Sequence, residues 1–200
     1  MNRRLAIGLL ALGLLASSGS MAGRPAPAAY DLLIRGGTIY DGSGGAPYRG
    51  EVAVRGDRIA YVGHHAPGRA ARVVDGTGQA VAPGFINMLS WANESLLADG
   101  RGLSDTVQGV TLEVMGEGDS MGPLTPAMKR LAVERQSDIR YPIRWTTLSQ
   151  YLEYLTRRGI TPNVASFVGA TTVRVHELGE KDVDPTPAQL ARMRRLVRDA

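Results

Sequence analysis

Short runs in which apolar and polar residues alternate fill the chain between residues 30 and 82, and each run is closed by glycine, proline or aspartate. A period of two is typical of half-buried β-strands. Gly56-Asp57 separates two of these runs and is a two-residue connection that favours a tight hairpin turn. The pattern predicts a small all-β unit whose strands cover residues 30–35, 38–40, 51–55, 58–62, 73–75 and 80–82.

The pattern changes after Pro83, where apolar strand-like runs begin to alternate with segments of helical period. Strands are predicted at residues 85–91, 111–117 and 163–169. The helical segments open on threonines that can cap a helix, at Thr125, Thr147 and Thr186. After the second and third of these, a glutamine three residues later completes a capping box. Strands separated by helices indicate a parallel sheet built from crossover units.

Residues 83–200 hold about three strand-helix units, whereas a closed eight-stranded barrel needs roughly 250 residues. The expected fold class is therefore α/β. The small β unit at 30–82 is followed by the first units of an incomplete TIM-type (β/α)8 barrel at 83–200. On this interpretation the sequence is expected to be the front portion of a larger protein.

The N-terminus has the layout of a secretory signal peptide. Arg3 and Arg4 precede an apolar run at 5–16, and small residues lead to a cleavage sequence ending at Ala22. The run is shorter than the roughly 20 residues that span a membrane, so an uncleaved anchor is the less favoured alternative. We predict a signal peptide at 1–22, a linker rich in alanine and proline at 23–29, and a periplasmic or secreted protein without membrane association after cleavage.

The absence of cysteine and the presence of only three histidines exclude several kinds of site. Without a thiol, the chain cannot form disulfides, an iron–sulfur cluster or a cysteine-based zinc site. Removal of Arg3 and Arg4 with the leader would leave 21 of the 23 basic residues against 19 acidic ones. So small an excess argues against a nucleic-acid partner. The arginines within 192–198 alternate with apolar residues at helical spacing and are interpreted as the solvated face of an amphipathic helix.

Several of these segments are similar to the N-terminus of the amidohydrolase superfamily. They are DLLIRGGTIYD at 31–41, GDRIA at 56–60 and VAPGFI at 81–86. Within the superfamily, the segments at 109–116 and 163–169, with Arg174 following, resemble the N-acyl-D-amino-acid deacylases, or D-aminoacylases. The resemblance covers residues 30–200. It implies a small β-sandwich beside a metal-dependent barrel.

The resemblance also marks positions where this chain departs from the family. Such deacylases normally continue the first barrel strand as Asp-x-His-x-His, and the two histidines bind a metal. Here alternation along the strand places Leu89 and Trp91 where the imidazoles are expected, and neither side chain can coordinate a metal. The family has a cysteine after the second strand, where this chain reads Gly-Glu-Gly at 116–118. The family's histidine after the third strand is replaced by Ala170.

Among the residues that stand where the family has metal ligands, Glu117 is the one whose side chain could still bind a metal. A carboxylate binds zinc, and such barrels place their chemistry at the C-terminal ends of the strands. The resemblance therefore implies zinc as a cofactor, with Glu117 as a ligand. The alternative is that Glu117 caps a loop or pairs with an arginine. Alternation places Glu113 and Met115 on the same face as Glu117, and Glu113 is predicted to be paired inside the barrel because an unpaired buried carboxylate is costly.

Three further residues are candidates for substrate binding. Asn93 follows the first barrel strand and could line the mouth of the barrel, although helix capping explains this residue type equally well. Arg174 matches the family's arginine and could hold a substrate carboxylate bidentately, with a structural ion pair as the alternative. His176 follows the third strand and could reach the mouth of the barrel, with an ordinary polar residue on the surface as the alternative. His64 and His65 are interpreted as a surface pair.

The resemblance implies an exported hydrolase that acts on the linear amide bonds of N-acyl-D-amino acids, with a small molecule as its substrate. The catalytic residues and the other metal ligands are expected beyond Ala200, so the 200-residue chain is predicted to be inactive alone. One alternative is an amidohydrolase acting on another C–N bond, in a cyclic amide or a dipeptide. A second is a metal-free barrel with a binding or structural role, suggested by Leu89 and Trp91.

Overall fold

The computed structural model of the protein describes residues 28–200. The predicted signal peptide, and all but the last two residues of the predicted linker, lie outside the described residues. The described chain forms two compact units, a first that ends at Val81 and a second from Ala82 to Ala200. Each is considered by itself below.

The first unit is a five-stranded sheet. Its strands are β1 (Tyr30–Ile39), β2 (Tyr48–Arg55), β3 (Arg58–Gly63), β4 (Ala70–Asp75) and β5 (Ala80–Val81). The order is β3-β2-β1-β4, and β5 also pairs with β1. The two consecutive pairs β1–β2 and β2–β3 are antiparallel, whereas β4 and β5 lie parallel to β1. The alternating pattern thus correctly predicted strands in this part of the chain.

The hairpin predicted at Gly56-Asp57 is confirmed, since this dipeptide joins β2 to β3. The predicted break at Gly36-Gly37 is wrong, because β1 runs through it for ten residues. The register with β2 shifts between Arg35 and Gly37, which is the signature of a bulge. Gly36 occupies the bulge with φ of +75°, a conformation that glycine adopts at little cost. The strand therefore bends at the glycines and does not end there.

The core cluster of the first unit is small. Its buried members are Tyr30, Leu33, Ala53 and Ala66. Among residues 28–81 the strands belong to one sheet, so the second sheet that the predicted β-sandwich requires is not part of the described chain. His64 and His65 are exposed, as predicted for a surface pair.

The second unit places helices beside a three-stranded parallel sheet. The strands are β6 (Phe85–Asn87), β7 (Val110–Met115) and β8 (Asn163–Ser166), in the order β6-β7-β8. The helices are α1 (Ser95–Ala98), α2 (Leu103–Thr106), α3 (Pro126–Glu134), α4 (Leu148–Arg158), α5 (Ala170–Leu178) and α6 (Pro187–Asp199). The predicted parallel sheet with helical crossovers is confirmed.

Three helices begin where the sequence predicted. Thr125 caps α3 by accepting a hydrogen bond from the backbone of Met128. Complete capping boxes open α4 at Thr147 and α6 at Thr186, with both reciprocal hydrogen bonds present. Each box satisfies backbone N–H groups that the first helical turn otherwise leaves unpaired. Among the described residues, no helix is both long and apolar enough to cross a membrane.

The main hydrophobic core of the second unit joins helix α4 to the sheet. Leu148, Tyr151 and Leu155 recur at helical spacing on α4 and are at most 3% exposed. They pack in one cluster with Leu96, Leu97, Met115, Leu124 and Trp145. Burying such side chains contributes about 1.5–3 kcal/mol each, so this cluster fixes the helical layer against the strands.

All three strands of the second unit end earlier than predicted. β6 stops at Asn87, where residue 91 was expected, β7 stops at Met115, and β8 stops at Ser166. The segment after β8 also differs from the prediction, because residues 170–178 form helix α5. The polar residues that follow the strands therefore do not simply continue the alternation of the strands, and their positions depend on the loops.

Candidate functional site

A narrow cleft with room for only about 10 Å³ lies at the carboxyl ends of β6 and β7. It is lined by Leu89, Ser90, Trp91, Asn93, Gly116, Glu117, Gly118 and Asp119. The structure places Glu117 and Asn93 in this cleft together with Leu89 and Trp91, the side chains at the expected imidazole positions. In open and closed parallel α/β sheets, this end of the strands is where binding and catalytic groups gather.

The wall formed by the chain after β6 results from a local turn. The backbone N–H of Leu89 donates to the Asn87 side-chain oxygen at 3.3 Å, which turns the chain at residues 88–89. The chain then returns to β7, and the backbone N–H of Ser90 donates to the Val114 carbonyl at 2.9 Å. Strand alternation therefore does not reach position 91. The indole of Trp91 is 74% exposed and presents apolar surface beside the cleft.

The opposite wall begins at a turn after β7. Gly116 has φ of +81°, and a Cβ there would lie 2.4 Å from both the Phe167 carbonyl oxygen and the Ser166 hydroxyl. The chain can thus turn beside β8 only because this position has no side chain. The prediction that Glu117 shares a face with Glu113 and Met115 is wrong. Glu113 and Met115 are buried, whereas Glu117 is exposed beyond the turn.

Ser120 anchors the loop that carries Glu117 and Asp119. Its hydroxyl donates to the Gly122 carbonyl at 2.6 Å and accepts from the backbone N–H of Gly169 at 2.9 Å. Ser120 is buried, so these hydrogen bonds are shielded from water. The sequence prediction missed this residue, and a single serine in a loop carries no signal for such a role. It also missed Asp119, for which the second carboxylate in Glu-Gly-Asp was a usable signal.

Asn93 is held in the cleft through its backbone. The Tyr151 hydroxyl donates to the Asn93 carbonyl at 2.8 Å, and burial raises the pKa of this tyrosine above its usual range. The Asn93 side-chain oxygen is buried and has no hydrogen-bond partner among the described residues. The capping alternative finds no support, since the N-cap of α1 is Glu94 and that side chain makes no capping hydrogen bond. Asn93 therefore offers an acceptor that the fold itself leaves unused.

Arg174 and His176 lie in helix α5 and are not among the residues that line the cleft. The Arg174 guanidinium donates to the carbonyls of Lys181 and Val183, at 3.2 and 2.7 Å. It thereby ties α5 to the segment that follows it, which is a structural task. The His176 ring is partly buried, and its Nδ1 has no partner among the described residues. The structure thus places two of the three candidate substrate-binding residues, Arg174 and His176, away from the residues that line the cleft.

The residues of the cleft do not by themselves fit a metal ion. A catalytic zinc site needs about three protein ligands. The cleft offers the carboxylates of Glu117 and Asp119, while Leu89 and Trp91 have no donor atoms. Among residues 28–200 there is no group of three histidine, cysteine, aspartate or glutamate side chains that could hold a metal ion. The implied zinc would require ligands from outside the described residues.

Comparisons of sequence and of structure both find deacylases of N-acyl-D-amino acids among the relatives of this chain. No family model matches the chain. The N-acyl-D-aspartate deacylase of Alcaligenes xylosoxydans xylosoxydans is 37% identical over 181 residues, which are 88% of this chain and 35% of the relative. A solved D-aminoacylase, described with a binuclear metal centre, matches with a TM-score of 0.74 and 32% identity over 86% of this chain and 36% of its own.

A further solved structure is the N-acyl-D-glutamate deacylase of Bordetella bronchiseptica, complexed with zinc and a phosphonate inhibitor. It matches with a TM-score of 0.71 and 27% identity, over 86% of this chain and 36% of its own. The homologues and structural neighbours of this chain are thus D-aminoacylase-type amidohydrolases. The chain spans about 35% of the length of the curated relatives it matches.

Proposed function

We propose that this protein, whose homologues are D-aminoacylase-type amidohydrolases, takes part in the hydrolysis of the amide bond of N-acyl-D-amino acids. The observation that carries the proposal is the cleft at the carboxyl ends of two neighbouring parallel strands, in a chain that matches a D-aminoacylase with a TM-score of 0.74. Such a strand end is where barrels place their chemistry. The substrate on this proposal is a small molecule with an acylated amino group.

The proposed architecture follows the same relatives. We infer that the five-stranded sheet of the first unit is part of a small β-sandwich, and that β6, β7 and β8 are the first strands of a TIM-type (β/α)8 barrel. Three strands make an open sheet, and a closed barrel of this type has eight. The exposed Phe85, Ile86 and Phe167 in or beside the outer strands of this sheet support the inference, because additional strands would cover apolar surface that is now in water.

The cleft itself has room for only about 10 Å³, so on this proposal the substrate lies against its rim, where distinct side chains meet the two parts of the molecule. Leu89 and Trp91 form an apolar surface suited to the acyl group. The side-chain oxygen of Asn93 is unpaired but buried, so binding would have to expose it before it could accept a hydrogen bond from the amide N–H. Asp119 is the carboxylate of the cleft that can exchange a proton at the scissile bond, and Glu117 is the candidate metal ligand. Arg174 has no role in this proposal, because its guanidinium is engaged with backbone carbonyls.

Zinc belongs to the proposal only together with ligands from outside the described residues. Glu117 is then the contribution of this chain, and the 200-residue chain alone is inactive. The cleft supplies two carboxylates, whereas a catalytic zinc site usually has three protein ligands. This supports the proposal that the 200-residue chain alone does not hydrolyse the substrate.

The experiment separates binding from turnover. The full chain is titrated with N-acetyl-D-methionine and N-acetyl-L-methionine while the fluorescence of Trp91 is followed, with Trp91→Phe as the blank for the buried Trp145. We expect saturable binding with preference for the D-enantiomer, lost in Asn93→Ala. Equal binding of both enantiomers, or none, contradicts the proposed substrate class. D-amino-acid release and bound zinc are measured on the same samples, and robust turnover by this chain contradicts its inactivity.

A metal-free binding protein is the second candidate function. The observation that favours it is the pair of apolar side chains at the positions where the resemblance expects metal-binding histidines. On this alternative, ligand binding is independent of zinc and of Glu117. Titrations of a longer protein that supplies the missing ligands, and of its Glu117→Gln variant, each with and without zinc, distinguish the two functions, because the hydrolase proposal expects zinc to change the affinity only when Glu117 is present, whereas the metal-free alternative expects no effect of zinc on either protein.

Export is a separate proposal that rests on residues 1–22. Arg3 and Arg4 before the apolar run, and the small residues ending at Ala22, support a cleaved signal peptide and a periplasmic or secreted location. Expression of the full chain in a Gram-negative host, followed by N-terminal sequencing of the periplasmic protein, tests this. A mature N-terminus at Gly23 is expected. Protein retained with Met1 in the cytoplasm contradicts it.

A further inference from the structure

Glu113 is a buried carboxylate without a partner. It lies near the middle of β7, where its neighbours are Asn87 on β6 and Val164 on β8, and it is 1% exposed. Its Oε2 makes no hydrogen bond within residues 28–200. The pairing predicted for Glu113 is therefore not found in the described chain. An ionised carboxylate removed from water without a compensating charge is costly, so a bound cation would stabilise Glu113 in this position.

Glu113 lines a cavity of about 240 Å³ between the sheet and the short helices α1 and α2. The other lining residues are Ala92, Ser95, Leu96, Asp99, Gly102, Leu103, Ser104 and Asp105. Three of the nine lining side chains are acidic and none is basic. None of them lines the cleft at the strand ends, so the two sites are separate.

The other two carboxylates differ in how far they are already neutralised. Asp99 is paired with Arg101 at 2.7 Å, and hydrogen bonds from Arg101 lower the pKa of Asp99 to about 2. Asp105 accepts from the Ser104 hydroxyl at 3.2 Å and from the Asn87 amide at 3.5 Å, and it has no ion pair within the described chain. Glu113 and Asp105 are thus the negative groups of this cavity that lack a positive partner.

The size and the lining of the cavity indicate which kind of cation it could bind. A bare metal ion needs several closely grouped ligands, and the described residues contain no suitable group of three. A cavity of about 240 Å³ is far larger than such an ion and has room for a planar or tetrahedral organic head group. Ala92, Leu96 and Leu103 provide an apolar wall for an alkyl stem, which is how long basic side chains are usually accommodated.

We propose that this cavity binds a guanidinium or primary ammonium group on an alkyl stem, with Glu113 as its buried charged partner. A guanidinium is the better match, because its N–H fork can engage a carboxylate bidentately. The group can come from an arginine or lysine side chain of a polypeptide, or from a free small cation. The inference is independent of the proposed hydrolysis, since it involves none of the residues of the cleft.

The test uses agmatine, which carries a guanidinium and a primary ammonium at the two ends of a four-carbon stem, and butylurea, which has the same stem and neither charge. Titration of the full chain is followed by calorimetry and by the backbone amide resonances of Gly102 and Leu103. We expect agmatine to bind with local shifts at these amides and butylurea not to bind. Glu113→Gln should weaken agmatine binding by about tenfold or more, the usual effect of removing a hydrogen bond to a charged group. Glu134→Gln, an exposed site at the end of α3, is the matched control and should leave the affinity unchanged.

Two further arms complete the test. Asp105→Asn changes a partly exposed residue, and we expect it to weaken agmatine binding even if Glu113→Gln does not fold. N-acetyl-arginine amide distinguishes the sources: binding as strong as that of agmatine indicates a polypeptide side chain, whereas a clear preference for agmatine indicates a free cation. The inference is overturned if agmatine does not bind. It is also overturned if Glu113→Gln and Asp105→Asn, or the one of them that folds, bind agmatine as tightly as the parent chain.

Discussion

Ser120 and Thr172 form a reciprocal pair of hydrogen bonds in the interior of the second unit. The Ser120 N–H donates to Thr172 Oγ1 at 2.8 Å, and the Thr172 hydroxyl donates to the Ser120 carbonyl at 3.2 Å. Both residues are buried, and 52 positions of sequence separate them. Because Ser120 closes the loop that carries Glu117 and Asp119, this pair attaches one wall of the candidate cleft to helix α5.

Replacing Thr172 with valine should destabilise the second unit. Valine keeps the shape of threonine but leaves the Ser120 N–H and carbonyl without this partner in a buried place. We expect a loss of about 1–3 kcal/mol in the free energy of unfolding, measured by urea denaturation. Thr172→Ser keeps the hydroxyl and should retain most of the stability. A valine variant as stable as the parent chain would show that water or another group replaces the pair.

The two glycines on either side of Glu117 should respond differently to alanine. Gly116 has φ of +81°, and an added Cβ would lie 2.4 Å from two oxygen atoms, whereas Gly118 has open space around the Cβ position. Gly116→Ala should therefore cost about 1 kcal/mol or more, from backbone strain and the forced shift of β8. Gly118→Ala is the matched control and should change the unfolding free energy by only a few tenths of a kcal/mol. Equal stability of the two variants would contradict the turn geometry.

The first unit should lose stability in acid through Glu51. The buried carboxylate of Glu51 accepts hydrogen bonds from the backbone N–H of Ala66 at 2.8 Å and from Arg35 at 2.9 Å. These contacts, led by the Ala66 N–H, hold the pKa of Glu51 below its ordinary value of 4.5. A carboxylate whose folded-state pKa is depressed stabilises the fold above its unfolded-state pKa, and this stability is lost as the pH falls through the folded-state value.

The measurement is the unfolding midpoint between pH 7 and pH 3 for the parent chain and Glu51→Gln. At pH 7 the parent should be the more stable by about 1 kcal/mol, since the substitution removes the charge from two hydrogen bonds. Below the ordinary carboxyl range the two midpoints should converge. Asp57→Asn, at the exposed hairpin turn, serves as the control. A difference between parent and Glu51→Gln that does not change with pH contradicts this assignment.

The capping box of α4 should contribute measurably to stability. Thr147 accepts a hydrogen bond from the Gln150 backbone N–H at 3.2 Å, and the Gln150 side chain accepts from the Thr147 backbone at the same distance. Thr147→Ala should lower the free energy of unfolding by about 1 kcal/mol, and Thr147→Ser should restore most of it. Urea denaturation followed by the buried Trp145, which packs against α4, reports on this helix. If Thr147→Ala is as stable as the parent chain, packing alone, and not the capping box, determines where this helix begins.

The features that could be predicted from the sequence are those made by near neighbours in the chain. The hairpin at Gly56-Asp57 and the capping boxes at Thr147 and Thr186 depend on hydrogen bonds that span a few residues, so their residue types identify them. Helix α5 was missed for the same reason, because its N-cap is Gly169, which has no side chain to cap the helix. Arg174 and His176 were consequently expected after a strand, and they lie in that helix.

The ends of the strands were less predictable, because apolar residues continue beyond the point where pairing stops. The segment 85–91 is mostly apolar, yet β6 ends at Asn87, whose side chain accepts a hydrogen bond from the Leu89 N–H. Conversely, β1 continues through Gly36, where the pattern predicted a stop. In both cases the outcome depends on the neighbouring strand and on one local hydrogen bond or one glycine conformation.

The sequence by itself determined the α/β class, the parallel sheet after Pro83, the resemblance to D-aminoacylases and the positions where expected metal ligands are replaced. These properties follow from residue type and short-range periodicity. Only the tertiary structure decided that Glu117 and Asn93 share a cleft while Arg174 does not, and that Glu113 faces a cavity without a partner. Such relationships join residues that are far apart in the chain, and their geometry is set by how the loops and helices pack against the sheet.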